Sequence, residues 1–145
     1  MLLAHKKARF NYELTDTFDA GIELFGHEVK ALKEKKGSLE GAFIVLRGDE
    51  AFIVGMHVPP FQVLNTPSSY DPYRTRKLLL TKKEIKELTE TEHQKGLTIV
   101  PIIVYKKGRY IKVKLAIARG KKRFDKRETI KKRDIERELG RTLKR

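Results

Sequence analysis

The fold is decided by the stretch Tyr110-Ile111-Lys112-Val113-Lys114-Leu115-Ala116-Ile117, which alternates more cleanly than any other part of the chain. Its odd-numbered positions are aliphatic, and its even-numbered positions carry tyrosine, two lysines and an alanine. Side chains of a β-strand point to opposite faces in turn, so this period of two indicates a strand. The stretch therefore predicts a strand with one buried face and one basic face.

The two lysines of this strand have two interpretations that the residues alone weigh about evenly. Lys112 and Lys114 could form an ordinary solvated face. Alternatively, their expected separation of about 6.5–7 Å matches successive phosphates along a nucleic-acid strand, which predicts an RNA-binding surface.

Further strands are predicted on the N-terminal side of this segment. The apolar run Leu97–Tyr105 precedes it across a turn at Lys107-Gly108, and we expect that run to be buried on both faces. Gly21 predicts a bulge or a close backbone approach within its own strand. The remaining strands are predicted over Arg9–Thr15, Phe18–Leu24, Ala42–Leu46 and Ala51–Val58, with turns at Asp16-Thr17 and Gly48-Asp49-Glu50.

Two helices are predicted between these strands. Gly26–Lys33 is a short amphipathic segment. Thr81-Lys82-Lys83-Glu84 has the spacing of a capping box, which predicts a helix that begins there and runs to about Gln94. Residues 65–77 are polar and contain two prolines, so they predict a loop.

Short antiparallel strands joined mostly by turns favour a mainly β fold over a layered α/β fold. The prediction is a closed antiparallel β-barrel of the oligonucleotide-binding (OB-like) type with peripheral α-helices. We place this barrel in residues 1–123 and a basic C-terminal tail in residues 124–145.

The charge of the chain is concentrated at its C-terminal end. Residues 1–105 hold 15 Lys+Arg and 14 Asp+Glu, whereas residues 106–145 hold 18 Lys+Arg and 5 Asp+Glu. The C-terminal part thus carries +13 of the total net charge of +14. Such a cationic end favours a polyanionic partner, most often nucleic acid. The tail has only a thin apolar stripe, so we expect it to be disordered when free and helical when bound.

Composition argues against several other classes of protein. The chain has no cysteine, and no run of about 18 apolar residues that would predict a transmembrane helix. Its four histidines lack the spacing of a metal site, and no nucleophile motif or phosphate-binding glycine loop is present. We therefore expect a cytoplasmic protein that is not an enzyme and uses no metal or cofactor, and we assume a monomer.

Three segments combine residues suited to RNA, each with an alternative interpretation. Arg119-Gly120-Lys121-Lys122-Arg123 is a phosphate clamp or a solubilising linker; the adjacent Phe124, able to stack on a base, favours the clamp. Asp19 either caps a turn or accepts hydrogen bonds from a guanine or a ribose. The leucines of Arg74–Leu80 are either buried or exposed to unstacked RNA.

These segments occur together, and in order, in a known family. The chain resembles the SmpB (small protein B) family of tmRNA-binding proteins in bacterial trans-translation. The resemblance covers about His5 to the end of the chain. The matching pieces are Lys7-Ala8-Arg9, Tyr12, Phe18–Leu24, Gly26, Glu28-Val29-Lys30, Asp71-Pro72, Arg74–Leu80, Val113-Lys114, Ala118–Lys122 and Asp125-Lys126-Arg127.

The resemblance implies that the barrel binds the tRNA-like domain of tmRNA and that the tail enters the empty mRNA channel of a stalled ribosome, in place of codon–anticodon pairing. Elongation factor Tu with GTP would deliver the complex, and alanyl-tRNA synthetase would charge the tmRNA. In the family, positions matching Asp19, Leu79 and Lys112 lie in the RNA contact. The expected RNA-binding set is His5, Lys7, Arg9, Asp19, Gly21, Arg76, Lys77, Leu79, Lys112, Lys114, Arg119, Gly120, Lys121 and Lys122.

The expected ribosome-binding residues all lie in the tail, where the segment matching Asp125-Lys126-Arg127 is tied to accommodation of tmRNA. They are Phe124, Asp125, Lys126, Arg127, Lys131, Lys132, Arg133, Ile135 and Arg137. The alternative is a generic ribosome-associated barrel that binds single-stranded RNA with no preference for tmRNA.

Overall fold

This computed structural model describes residues 1–62 and 66–120 of the chain. These residues contain seven strands and three helices. The strands are β1 (Leu3–Ala4), β2 (Tyr12–Ile22), β3 (Phe43–Arg47), β4 (Glu50–Val54), β5 (Arg76–Leu79), β6 (Leu97–Lys107) and β7 (Tyr110–Gly120). The helices are α1 (Ala8–Asn11), α2 (Gly26–Lys33) and α3 (Lys82–Glu92).

The strands form one antiparallel sheet, as predicted, but the sheet does not close into a barrel. Its order is β1-β6-β7-β2-β5-β4-β3, so β1 and β3 are its two edges and are not paired with each other. The prediction of a closed barrel was therefore wrong, whereas the mainly β class and the peripheral helices are confirmed.

A helix covers the edge at which the sheet fails to close. β3 packs against β6 without joining its ladder, and α3 contacts both strands. The Glu92 carboxylate, at the end of α3, accepts a hydrogen bond of 2.8 Å from the Leu46 backbone N–H on the outer edge of β3. Arg47 Nη1 reaches the same carboxylate at 3.2 Å. A backbone donor that could have extended the ladder is thus satisfied by a side chain.

The core confirms the inward face predicted for β7 as far as Leu115, beyond which the alternation ends, because Ala116 is buried and Ile117 is only half-buried. Ile111, Val113 and Leu115 are all buried there. Residues from the other strands and from α2 and α3 complete this core, among them Leu32, Ile44, Ile53, Leu78, Leu88 and Ile99.

The N-terminal part of the chain differs from its prediction in two places. Residues 9–11 belong to the short helix α1, so the strand predicted from Arg9 begins at Tyr12 instead, as β2. Asp16-Thr17 does not turn the chain; instead the pairing of β2 with β7 shifts register between Leu14 and Thr17. A bulge and a turn both interrupt regular alternation, which explains why the sequence pattern did not distinguish them.

Most other elements agree with the sequence. The helix Gly26–Lys33 is confirmed, and Gly48-Asp49 forms the turn between β3 and β4. Thr81 Oγ1 accepts the Glu84 N–H at 3.2 Å, while the Glu84 carboxylate accepts the Thr81 N–H at 3.1 Å, so the capping box is confirmed. β4 ends at Val54, short of the predicted Val58, and β5 begins inside the predicted loop.

Candidate nucleic-acid interface

Four neighbouring strands bring a row of side-chain positions together on the outer face of the sheet. Leu79 of β5 pairs with Gly21 of β2, Gly21 pairs with Lys112 of β7, and Lys112 pairs with Tyr105 of β6. We call these four residues the outer row. Because paired residues of adjacent strands lie on the same face, three predicted site residues stand side by side although they are far apart in sequence.

Asp19 lies one strand step from the outer row, opposite Lys114 of β7. Its Oδ1 accepts a hydrogen bond of 2.7 Å from the Tyr105 hydroxyl. Burial, this hydrogen bond and the charge of Asp19 raise the pKa of Tyr105, so the phenol stays a donor. Asp19 is exposed in the middle of β2, which rules out the alternative that it caps a turn.

The outer row borders an open groove of about 470 Å³. Its lining combines the aliphatic side chains of Leu24, Val29 and Leu79 with Arg109, Tyr110 and Lys112. The side chains of Leu79 and Tyr110 are 50% and 72% exposed. Exposed apolar surface beside cations is the combination that an unstacked base with its phosphate requires.

Gly21 permits this arrangement by its lack of a side chain. A Cβ at this position would lie 3.2 Å from the Leu79 Cβ, which is tighter than ordinary van der Waals contact. The predicted close backbone approach is confirmed, and it is an approach between β2 and β5 at the floor of the groove.

Lys77 lies on the same face of β5 as Leu79, two residues away. Its Nζ is 3.4 Å from the Glu50 carboxylate, in a pair whose side chains are 37% and 51% exposed. Solvent screens such a pair, so Lys77 can exchange Glu50 for a phosphate at small cost.

The position of Arg76 contradicts the prediction that it contacts RNA. Arg76 is fully buried, because it points to the inner face of β5. Its Nη1 donates to the Met56 carbonyl at 2.8 Å and its Nη2 donates to the Pro72 carbonyl at 3.1 Å. Arg76 therefore supports the fold beneath the groove and does not reach its surface.

Arg76 belongs to a cluster centred on the buried carboxylate of Glu28, in α2. Arg76 Nε and Nη2 lie 2.7 and 2.6 Å from this carboxylate, and the Tyr70 hydroxyl and Arg74 also donate to it. Burial by itself would raise the pKa of Glu28. Hydrogen bonds from Arg74, the Phe25 amide and Arg76 outweigh that effect and lower the pKa to about 2.

The predicted N-terminal residues lie in a second region. His5 and Lys7 line a separate groove of about 390 Å³ together with Tyr12, whose backbone pairs with Gly120. His5 Nδ1 donates to the Pro101 carbonyl at 3.0 Å, and Lys7 Nζ lies 3.3 Å from Glu40.

Arg9 and Arg119 are exposed at this end of the sheet. Arg119 is seven positions after Lys112 in β7, a distance of roughly 23 Å along the strand. The predicted RNA-binding residues thus form two regions rather than one.

Eleven predicted site residues lie outside the described part of the chain, which ends at Gly120. The two expected to bind tmRNA are Lys121 and Lys122. Those expected to bind the ribosome are Phe124, Asp125, Lys126, Arg127, Lys131, Lys132, Arg133, Ile135 and Arg137.

The sequence did not single out several residues that the structure adds to the outer row and to the groove. Tyr105 was placed in a strand buried on both faces, yet its hydroxyl reaches the outer face. Tyr110 is two residues from Lys112 in the alternating strand, so the sequence could have placed both side chains on the same face. Leu24 and Val29 gave no signal, because a helix and a strand end bring them together only in the folded chain.

In residues 1–62 and 66–120, no three histidine, aspartate or glutamate side chains are close enough together to hold a metal ion. No helix of the same residues has the length and apolar character needed to span a membrane.

The open sheet defines a small antiparallel β protein whose candidate interface lies on exposed strands that border an open groove. The family model described as "SmpB protein" matches residues 2–145. The chain belongs to the SmpB family.

Curated relatives match over nearly the whole chain. An SsrA-binding protein of Mesoplasma florum is 46% identical over 144 residues, which are 99% of this chain and 97% of the relative. One of Elusimicrobium minutum is 45% identical over 140 residues, which are 97% of this chain and 88% of the relative. A solved chain from the study "tmRNA-SmpB: a journey to the center of the bacterial ribosome" is 39% identical, with a TM-score of 0.70; the match covers 88% of this chain and 93% of that one.

Proposed function

We propose that this chain binds tmRNA (SsrA RNA) and acts with it on the ribosome in trans-translation, through which stalled ribosomes are rescued. The relatives carry the name of SsrA-binding proteins, and the solved relative comes from work on tmRNA and SmpB at the ribosome. The observation that carries the proposal for this chain is the outer row. It joins Leu79, Gly21 and Lys112, three residues of the RNA-binding set expected from the resemblance to the family.

The outer row would receive the tRNA-like domain of tmRNA. Lys112, Lys114 and Lys77 supply charge for phosphates, and Leu79 supplies an exposed apolar contact for an unstacked base. Asp19 repels phosphate, so its value lies in accepting a hydrogen bond from a base edge or a ribose hydroxyl. Phosphate contacts would position the RNA, and Asp19 would add selectivity.

The second region would make further backbone contacts. His5, Lys7, Arg9, Arg119 and Gly120 are grouped near one end of the sheet, and Lys121 and Lys122 follow them directly in sequence. Two cationic regions roughly 23 Å apart suit a folded RNA better than a short single strand.

The remaining partners follow from membership of the family. Residues 1–123 would bind tmRNA, and residues 124–145 would enter the vacant mRNA channel and adopt a helix there. Elongation factor Tu with GTP would deliver the complex, alanyl-tRNA synthetase would act on the tmRNA, and the protein would act as a monomer that catalyses no reaction. The tail's positive charge suits a channel walled by ribosomal RNA.

Competition binding tests the proposed RNA. The protein is titrated with the tRNA-like domain of tmRNA at about 150 mM salt, where non-specific contacts weaken, in a large excess of bulk tRNA. We expect tight binding that the competitor does not displace. Binding that bulk tRNA removes would instead identify a generic RNA-binding protein.

Truncation tests the proposed division of labour. A variant without residues 125–145 should bind the tRNA-like domain almost as the full chain does, yet fail to support tagging on stalled ribosomes. Tagging by the truncated protein would show that the tail is not needed at the ribosome.

A further inference from the structure

Phe25 is an aromatic side chain that the fold holds at the surface. Its side chain is 52% exposed, although it directly precedes α2, where a small polar capping residue is usual. The backbone does not need such a side chain, because the Glu28 N–H, which a capping side chain would accept, donates to the Phe25 carbonyl at 3.0 Å. The phenyl ring lies outside the core, and its ring contact with His27 is tilted, with centroids 5.8 Å apart.

The ring of Phe25 rests on a fixed cation. The guanidinium carbon of Arg74 lies 4.0 Å from the centroid of the ring, which is cation–π geometry. Arg74 Nε donates to Glu28 at 3.0 Å, and its Nη2 donates to the other oxygen of the same carboxylate. Since the guanidinium is held on two of its nitrogens, the ring above it has a defined orientation.

The cluster beneath Phe25 carries an excess of positive charge. Arg74 and Arg76 both pair with the single carboxylate of Glu28, so the three groups sum to +1. Arg76 is fully buried, whereas the Arg74 side chain is 23% exposed. The excess charge therefore reaches solvent at Arg74, beside the phenyl ring, where it attracts an anion.

The position of Phe25 connects it to the groove already described. Ile22 pairs with Leu78, and the Glu23 N–H donates to the Lys77 carbonyl at 2.9 Å, so β2 follows β5 up to this point. The next residue, Leu24, lines the groove, and Phe25 follows it. A nucleic-acid strand that leaves the outer row past Leu24 arrives at the Phe25 ring.

We propose that Phe25, supported by Arg74, is a stacking platform for one unpaired base of the bound RNA, with Arg74 facing the phosphate of that nucleotide. A ring that rests on a cation and is 52% exposed offers a base the π-stacking contact that single-stranded nucleic acid favours. The proposal rests on the proposed RNA-binding function and adds a base-stacking residue to it.

Affinity measurements with the full chain provide the first test. Phe25→Ala should weaken binding of the tmRNA tRNA-like domain about 5- to 100-fold, the range for loss of one base–aromatic stack. Phe25→Tyr should bind with the affinity of the native chain, because stacking uses the face of the aromatic ring and does not depend on the groups at its edge. Tyr73→Ala is the matched control: Tyr73 is 59% exposed but packs against His57 at a tilt, with ring centroids 4.7 Å apart, and its loss should change affinity less than twofold.

A fluorescence experiment separates stacking from a structural effect. The chain has no tryptophan, so Phe25→Trp creates a single emitter at the platform and Tyr73→Trp creates one at the control position. RNA should quench the tryptophan at position 25 in step with binding and leave the one at position 73 unchanged. Loss of fold alone would not produce a quench that saturates with RNA.

The outcomes distinguish this proposal from the proposed function. If the native chain prefers tmRNA but Phe25→Ala binds equally well, or position 25 is not quenched, the platform is refuted and tmRNA binding stands. If bulk tRNA displaces tmRNA yet quenches position 25 itself, the platform stands and the preference for tmRNA is refuted.

Discussion

The two faces of β5 use the same kind of residue for opposite purposes. Arg76 and Lys77 are adjacent cations, yet Arg76 is fully buried against Glu28 while Lys77 is half-exposed beside Glu50. Strand parity alone separates them, since neighbouring side chains point to opposite faces. Two adjacent cations of one basic motif can therefore differ in role: one is buried and stabilises the fold, and the other is exposed and available to a ligand.

The two ion pairs also differ in how strongly the fold depends on them. Glu28 and its arginines are desolvated, so removal of one partner leaves an uncompensated buried charge. Lys77 and Glu50 keep much of their hydration and are screened by salt. We therefore expect large effects on stability from the inner face of β5 and effects on RNA affinity from its outer face.

The largest expected effect comes from Glu28→Gln. This substitution leaves Arg74 and Arg76 without their carboxylate, and we expect the free energy of unfolding to fall by about 3–5 kcal/mol. Urea denaturation measures the change. Glu50→Gln, in the exposed pair, is the matched control and should cost at most about 1 kcal/mol. Equal effects of the two substitutions would remove the distinction between the faces.

Acid should reproduce part of the same loss in the native chain. The folded-state pKa of Glu28 is about 2, below its ordinary value of 4.5, so ionised Glu28 stabilises the fold above about pH 4.5. This contribution declines as the pH falls from about 4.5 towards 2, and its full size is on the order of 3 kcal/mol. As the pH falls across that range, the denaturation midpoint should decline less steeply in Glu28→Gln than in the native chain. Parallel curves for the two proteins would contradict the assignment.

Substitution of Asp19 should change binding and spare the fold. Because Asp19 is exposed, Asp19→Ala should alter the free energy of unfolding by about 1 kcal/mol or less. Its affinity for the tRNA-like domain should fall by about 1–3 kcal/mol, the value of one good contact to a base edge. Tyr105→Phe removes the hydrogen bond to Asp19 but keeps the carboxylate. If both variants bind as the native chain does, Asp19 has no part in recognition.

The smallest predicted effect concerns the floor of the groove. Gly21→Ala places a Cβ 3.2 Å from the Leu79 Cβ, so β5 must shift by a few tenths of an ångström. We expect a cost of about 1 kcal/mol in RNA affinity. Gly26→Ala is the control, since a Cβ there meets no atom within 4 Å. Unchanged affinity in Gly21→Ala would show that RNA does not sense the position of Leu79.

Local sequence patterns predicted the parts of the fold that local chemistry determines. The alternation of Tyr110–Ile117, the capping box at Thr81 and the turn at Gly48-Asp49 were sufficient for β7, α3 and the β3–β4 hairpin. Barrel closure was mispredicted because it depends on how two distant edges meet, and no local pattern contains that information. The four residues of α1 were missed because so short a helix has almost no periodic signal.

The site was predicted in part for the same reason. Leu79, Gly21 and Lys112 were named from the sequence, but their adjacency comes from the pairing of β5, β2 and β7. Arg76 was misassigned because β5 is short and follows a proline-containing loop. The sequence therefore does not show which of its side chains point to the inner face. Phe25 drew no attention, since its exposure follows from the way Glu28 and Arg74 are held in three dimensions.

The hydrogen bond from the Leu46 N–H to the Glu92 carboxylate affects whether two molecules can associate through their sheet edges. A sheet that stays open offers unpaired backbone donors to any passing strand, and such edges are where chains join into aggregates. The Glu92 carboxylate occupies one of these donors on β3, and its ion pair with Arg47 places two charged side chains at this edge. The same side chain that anchors α3 thus keeps this edge from recruiting a second molecule in a crowded cell.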